Sequence, residues 1–308
     1  MITIWVPKRL VEVGLYNVAA RSPQELAALS EQSYRDRVKY AAEKVRLSGT
    51  KIVMLTGPSA SGKTTSAHKL AEELIRQGTY AHVVSLDNFF RGAEFYPRLP
   101  DGTLDYENPD TMDLPLVRQC LHELSETGRT TLPIYDFANE RRSDETEAVD
   151  LQGGVCIVEG IHALNPDVIT IPEEMTVRLY VSVRTRVTNG ETVLHPSRLR
   201  LMRRMLRDKN FRQRSVAETL SMFEHVQAGE HKYIAPYKKR ADFSIDTFLP
   251  YELGIYKTLL DGELEAEMQH PMLLELRQIW DDVAPLTLEH VPADSLVREF
   301  AGDSVFQY

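Results

Sequence analysis

The run Gly57-Pro58-Ser59-Ala60-Ser61-Gly62-Lys63-Thr64 combines the residue types needed to hold a chain of phosphates. It fits G-x-x-x-x-G-K-[ST] at every fixed position. The glycines permit backbone angles that turn the N–H groups of Ser59, Ala60, Ser61 and the residues up to Thr65 inward as an anion nest. The positive end of a following helix adds to that nest. Lys63 is expected to reach the β- and γ-phosphates, and the Thr64 hydroxyl to ligate Mg²⁺. ATP and Mg²⁺ are therefore the predicted ligands of this loop.

Two carboxylates follow short apolar runs. Asp87 ends Val83-Val-Ser-Leu-Asp87, where it could take the proton from an attacking hydroxyl or help to hold Mg²⁺. Glu159 ends Val155-Cys-Ile-Val-Glu159 and precedes a glycine, the pattern of an acid that bears on Mg²⁺ directly or through water. Either could instead be a solvated acid at a strand end; their joint occurrence behind the phosphate loop favours the site. His162, three residues on, reads as a loop or helix-start histidine rather than a catalyst.

The segment from Arg198 to Arg214 is the most basic stretch of an acidic chain, which carries 45 acidic against 36 basic side chains. Arg200, Arg203, Arg204 and Arg207 fall at i, i+3, i+4 and i+7, one face of a helix, with Leu199, Met202, Met205 and Leu206 free to pack elsewhere. Such a face can be solvated and ion-paired. Beside a phosphate loop it reads as a mobile lid, since the planar guanidinium fork binds phosphate oxygens in pairs.

Chemistry of this kind needs strands that end near one another. Lys51–Thr56, Ala81–Ser85, Val155–Glu159, Val177–Val183 and Phe243–Asp246 read as strands. Helices are expected at Lys63–Gln77, Leu114–Glu126, Ser197–Asp208, Val216–Ala228 and Tyr251–Met268. The alternation predicts an α/β fold of the P-loop NTPase type: a parallel sheet flanked by helices, with an Arg-rich helical lid. In such sheets ligands bind at the carboxyl ends of the strands. The stretch Arg91–Asp113 has no apolar period, and a connection of that length is expected to be functional.

Residues 1–49 are expected to form a largely helical extension, starting at Ser22-Pro23 with serine as cap and proline in the first turn. Residues 50–250 would be the kinase domain and 251–308 a helical C-terminal extension. The net charge of −9 argues against general nucleic-acid binding. No apolar run is long enough to cross a bilayer, and the opening Met1-Ile-Thr-Ile-Trp-Val-Pro7 lacks a basic region and long apolar core. Cys120 and Cys156 have no metal-ligand spacing and read as buried free thiols, which suits the cytoplasm. A homo-oligomer is a fair expectation.

Taken together, the loop Gly57–Thr65, Ser85-Leu-Asp-Asn-Phe-Phe90, Leu132-Pro-Ile-Tyr-Asp-Phe137, Val158-Glu-Gly-Ile-His162 and Arg203–Arg214 resemble the uridine kinase and phosphoribulokinase family. The ending Val291–Gly302 resembles a bacterial and archaeal subgroup of uridine-kinase-like nucleoside kinases. Many of that subgroup carry a long N-terminal extension similar to parts of threonyl-tRNA synthetase, which this chain is read as lacking. The resemblance makes Asp87 the base that activates the acceptor hydroxyl. It places Glu107 on the ribose hydroxyls and Tyr135 and Phe137 beside the nucleobase. Arg204 and Arg214 would face the acceptor, and Arg207 and Arg212 the ATP phosphates.

Two positions depart from the family pattern. Glu140 stands where uridine kinases have a histidine that reads the pyrimidine edge, and the usual Arg-Gly-Arg of the lid is Arg212-Gln213-Arg214. Glu140 is an acceptor where the histidine could donate. The sequence thus predicts a small-molecule kinase acting on a hydroxyl, the 5′-OH of a nucleoside first. The alternatives are a non-nucleoside alcohol (a sugar, cyclitol, amino acid or vitamin) or a non-catalytic ATP-binding regulator.

Overall fold

In a computed structural model, residues 9–137 and 139–306 are described. The opening apolar segment at residues 1–7 lies outside them. Regular structure runs in the order β1 (Leu10–Glu12), α1 (Val13–Ala19), α2 (Pro23–Ser48), β2 (Ile52–Thr56), α3 (Lys63–Arg76), β3 (Ala81–Ser85), α4 (Leu114–Thr127), β4 (Arg129–Asp136), β5 (Arg141–Asp150) and β6 (Val155–Glu159). It continues with β7 (Thr176–Ser182), β8 (Arg186–Asn189), β9 (Thr192–Leu194), α5 (Pro196–Arg212), α6 (Val216–Tyr233), β10 (Phe243–Asp246), α7 (Glu252–Leu264), α8 (Leu274–Trp280) and α9 (Arg298–Ala301). The chain divides into two compact units.

One unit comprises Arg37–Val181 and Glu224–Ile245. Apart from the end residues Ser182 and Asp246, it holds a five-stranded sheet in the order β10-β7-β2-β6-β3, with β7, β2, β6 and β3 mutually parallel. Every residue of the central β2 and of its neighbour β6 is buried. This is why both read as unbroken apolar runs rather than alternating ones. Ile52, Met54, Cys156 and Val158 join Val117, Cys120, Leu121 and Leu124 of α4 in one core. Those α4 positions recur at i, i+3, i+4 and i+7, and each buried leucine or valine contributes about 1.5–3 kcal/mol. Helix α4 is capped by Asp113, which accepts from Leu116 N–H at 3.2 Å, and ends on Gly128 at φ 73°.

The strands and helices expected from the sequence are present in this unit, with ends shifted by a few residues. The antiparallel hairpin β4–β5 was not expected. Its second strand, Arg141–Asp150, is almost wholly polar and exposed, so no apolar alternation marks it. The stretch 91–113 carries two short 3₁₀ turns at Ala93–Phe95 and Pro109–Thr111 and is pinned by the bridges Phe90↔Met112 and Arg98↔Leu104.

The other unit comprises Met1–Asp36, Ser182–Phe223 and Asp246–Tyr308. A small sheet, β1-β8-β9, joins the N-terminal segment to the chain after β7. Among the described residues, the largest fully buried side chain lies here. Arg203 of α5 is fully buried and pairs with Glu252 of α7 at 2.8 Å, with a further bond to the Thr247 carbonyl at 2.8 Å. Burial opposes the Arg203 charge, but Glu252 beside it more than offsets this and holds the guanidinium above its ordinary range. The Arg203 member of the basic face is thus a core ion pair rather than part of an exposed lid face. Leu199, Leu201, Met202, Met205 and Leu206 of the same helix are buried as well.

Candidate active site

The loop between β2 and α3 is shaped by three residues in different ways. Gly57 is there because nothing larger fits: a Cβ would stand 2.0 Å from the Val181 carbonyl oxygen. Gly62 caps α3 at φ 83°, in the left-handed region that glycine enters without strain. Ala60 adopts φ 56° without that freedom, a strain of about 1–2 kcal/mol of the sort found at ligand sites. Ser59, Ala60, Ser61, Gly62 and Thr65 are buried, while Lys63 and Thr64 are partly exposed. Lys63 Nζ lies 3.4 Å from the Pro58 carbonyl oxygen.

Parallel register carries the other groups to this loop. Glu159, the last residue of β6, stands opposite Leu55 of β2 on one side and Ser85 of β3 on the other. The Ser85 hydroxyl donates to Glu159 Oε1 at 2.7 Å, and Thr64 Oγ1 stands 3.5 Å from the same oxygen. The Asp87 N–H in turn points to Ser85 Oγ at 3.3 Å, in the short 3₁₀ turn that leaves β3. Thr64, Glu159 and the turn that carries Asp87 thus meet beside the loop, with Lys63 next to Thr64 at the start of α3. Ser85 is the member that sequence reasoning quoted in a motif but left without a role. Its register opposite Glu159 is the signal, visible only once strand pairing is known.

One hydroxyl and one carboxylate beside a phosphate nest suit Mg²⁺, which keeps waters and phosphate oxygens in its shell. Among the described residues there is no group of three or more His, Cys, Asp or Glu placed to hold a metal. The donor set fits a cation shared with phosphate, not an all-protein cage.

Glu107 is buried, in the stretch between β3 and α4, against Gly229 of α6. A Cβ on Gly229 would meet Glu107 Cβ at 2.5 Å. Tyr135, at the end of β4, is buried and packs edge-on against Phe90 at 5.8 Å and Phe137 at 5.0 Å between centroids. Tyr96 extends this cluster, 6.2 Å from Phe90 and 5.7 Å from Tyr106. Tyr96 and Tyr106 were not singled out from sequence, because Arg91–Asp113 has no apolar period to mark them; Phe90 stood in a quoted motif without a role of its own. Phe137 and Glu140 are exposed, and Glu140 sits at φ 49° in the β4–β5 turn.

His162, passed over in the sequence, is also buried. Burial pushes its pKa down to about 4, the adjacent Glu107 main chain partly opposes this, and the Lys63 charge adds to it. A histidine in that state is neutral at ordinary pH.

The predicted arginines lie in the other unit. Asp208, fully buried, accepts from Arg204 Nε at 3.3 Å and Arg212 Nη1 at 3.0 Å. The Arg214 N–H bonds to the Asp208 carbonyl at 3.1 Å. Arg207 is partly buried, and burial together with the charges of Arg212 and Arg204 pushes it down to about 10. Arg212 is lowered too, first by burial. Cations crowded in this way gain from an added anion.

Residues 52–250 match the family described as Phosphoribulokinase / Uridine kinase family. The chain is 30% identical over 203 residues to a uridine kinase of Staphylococcus haemolyticus, covering 65% of this chain and 88% of that one. It is 27% identical over 195 residues to a uridine kinase of Lactobacillus johnsonii, covering 63% and 85%. A solved structure of a possible uridine kinase from Bacillus stearothermophilus is 19% identical with a TM-score of 0.49, covering 69% of this chain and 98% of that one. Strand-end carboxylates behind a phosphate loop, and a family match over most of the chain, lead to one conclusion. This chain belongs to the phosphoribulokinase and uridine kinase family and is a phosphotransferase with an alcohol group as acceptor.

Proposed function

We propose that this chain transfers the γ-phosphate of ATP to the 5′-hydroxyl of a nucleoside, with uridine and cytidine the first acceptors to test. The observation that carries the reading is the meeting of Thr64, Ser85 and Glu159 at the phosphate loop, with Asp87 in the adjoining turn. Asp87 takes the proton of the acceptor hydroxyl as its oxygen bonds to the γ-phosphorus. The bond from that phosphorus to the β–γ bridging oxygen breaks, and ADP leaves. The loop N–H groups and Lys63 hold the phosphate oxygens. Thr64 and Glu159 would hold Mg²⁺, which when bound neutralises charge on the β- and γ-phosphates.

Glu107 takes the ribose hydroxyls, and Tyr135 and Phe137 flank the base. Arg207 and Arg212 contact the ATP phosphates, and Arg204 and Arg214 the acceptor. Burial lowers Arg207 first and the charges of Arg212 and Arg204 add to it, which supports an anionic ligand for this group. The uridine kinase names of the relatives support a nucleoside acceptor. The family match at 52–250 supports a kinase domain at residues 50–250, flanked by the extensions 1–49 and 251–308.

Glu140 favours a second reading, a non-nucleoside alcohol. It offers an exposed carboxylate where uridine kinases have a histidine. ADP release from ATP, measured across pyrimidine and purine nucleosides, sugars, cyclitols, amino acids and vitamins, separates the two. Turnover with a pyrimidine nucleoside supports the first; inert nucleosides beside an active alcohol of another class give the second. ADP release with none overturns both in favour of an ATP-binding regulator.

A further inference from the structure

Helix α6 reaches the phosphate loop with a carboxylate. Glu230, buried near its C-terminal end, accepts a hydrogen bond from the main-chain N–H of Ser59 at 2.9 Å. Ser59 is the third residue of the loop, and its N–H belongs to the set that such loops turn toward phosphate. A nest built to receive an anion therefore already holds one, supplied by the protein's own chain. The same turn of α6 carries Gly229, pressed on Glu107, and Tyr233, whose hydroxyl donates to Asp105 Oδ2 at 2.9 Å and accepts from Asn108 Nδ2 at 2.9 Å. One helical turn thus touches the phosphate loop and the Asp105–Asn108 stretch at once.

We propose that Glu230 is a charge gate on the phosphate loop: its carboxylate holds the Ser59 N–H, a donor that the terminal phosphate of a nucleoside triphosphate must take over. The inference rests on the reading of the loop as an ATP site. A carboxylate and a phosphoryl oxygen are both anionic acceptors, and one N–H does not serve both well. ATP binds only by displacing Glu230 or by tolerating its charge at close range. ADP, whose phosphates are cradled farther along the loop by the N–H groups at the start of α3, escapes this conflict. The gate therefore sets the balance between ATP and ADP. Because Gly229 lies against Glu107, a shift of this turn that withdraws Glu230 also moves the wall against which Glu107 packs. Acceptor occupancy and ATP affinity are linked through that turn.

The test is calorimetric titration of the wild-type chain and Glu230→Gln with ADP and with a non-hydrolysable ATP analogue, both with Mg²⁺. Glutamine keeps the size and removes the charge. The wild type is expected to bind ADP at least as tightly as the analogue. In Glu230→Gln the analogue should gain about 10- to 100-fold, the range for a hydrogen bond to a charged group, with ADP changing little. A wild type that prefers the analogue tenfold or more overturns the gate without any variant. Equal changes for the two nucleotides in Glu230→Gln also overturn it and leave the kinase reading standing. Binding of neither nucleotide to either protein overturns both.

Discussion

The Ser85 hydroxyl donates to Glu159 Oε1 at 2.7 Å, so the end of β3 fixes the acid at the end of β6. Thr64 approaches the same oxygen from the start of α3. Two neighbouring strands and one helix thereby converge on a single carboxylate oxygen. Removing an outer partner of a metal-binding acid generally costs 10- to 100-fold in metal affinity or activity. Ser85→Ala is expected to raise the Mg²⁺ concentration for half-maximal activity by about 10-fold, read from rates at fixed ATP. An unchanged Mg²⁺ requirement would remove Ser85 from the site.

Gly57 tests the packing of the loop rather than its chemistry. A methyl group there would stand 2.0 Å from the Val181 carbonyl oxygen, so β2 and β7 must separate or the loop must move. Gly57→Ala should lose about 1–3 kcal/mol of stability by urea unfolding, the usual cost of overpacking, together with nucleotide binding. A variant as stable as the wild type that still binds ATP would contradict the close approach.

The buried pair in the other unit gives a prediction about stability alone. Glu252 accepts from Arg203, from Tyr256 at 2.9 Å and from the Leu249 N–H at 3.0 Å. Glu252→Ala strands a fully buried guanidinium, which costs about 3–5 kcal/mol. Denaturant unfolding measures this, and a loss under 1 kcal/mol would mean that Arg203 finds another partner.

His162 makes stability depend on pH in a defined direction. Its pKa falls from 6.5 unfolded to about 4 folded, so between those values the unfolded chain binds more protons. Stability from this residue is complete above pH 6.5 and is lost as pH falls toward 4, by about 3 kcal/mol at the end. Urea unfolding of the wild type and His162→Phe from pH 7 to 5 should show a slope in the first that is reduced in the second. Parallel profiles would mean that the imidazole is not buried neutral.

How much of this was readable in the residues differs from place to place. The loop at Gly57–Thr64 declared itself because each fixed position has its own chemical requirement, and β2 and β6 did so because burial on both faces makes them apolar up to their last residue. Ser85 did not, since its role comes from register against Glu159, a relation between strands some 70 residues apart. Strand β5 was hidden because its charged side chains are exposed and carry no alternation. Arg203 looked like its neighbours on the basic face. Only the position of Glu252 on α7 separates it from Arg204 and Arg207.

On the proposed reading, in which Tyr135 and Phe137 flank the base, the aromatic cluster sets how well the acceptor binds. Tyr135 is buried and held edge-on by Phe90 and Phe137, so Tyr135→Ala opens the site and removes one ring face. The acceptor KM should rise about 10-fold, with kcat falling less, as expected for a base-stacking contribution of about 1–3 kcal/mol. Equal falls in kcat and kcat/KM, with KM unchanged, would place Tyr135 in the transition state rather than in acceptor binding.

Transfer of labelled γ-phosphate in a single turnover, with enzyme in excess over ATP and the acceptor saturating, tests the central claim most directly. The wild type should move the label onto the acceptor hydroxyl. Asp87→Asn, binding both substrates normally, should do so about 10²- to 10⁴-fold more slowly. Label released only as inorganic phosphate, or transferred by Asp87→Asn at the wild-type rate, would contradict the assignment of Asp87 as the base of an alcohol phosphotransferase.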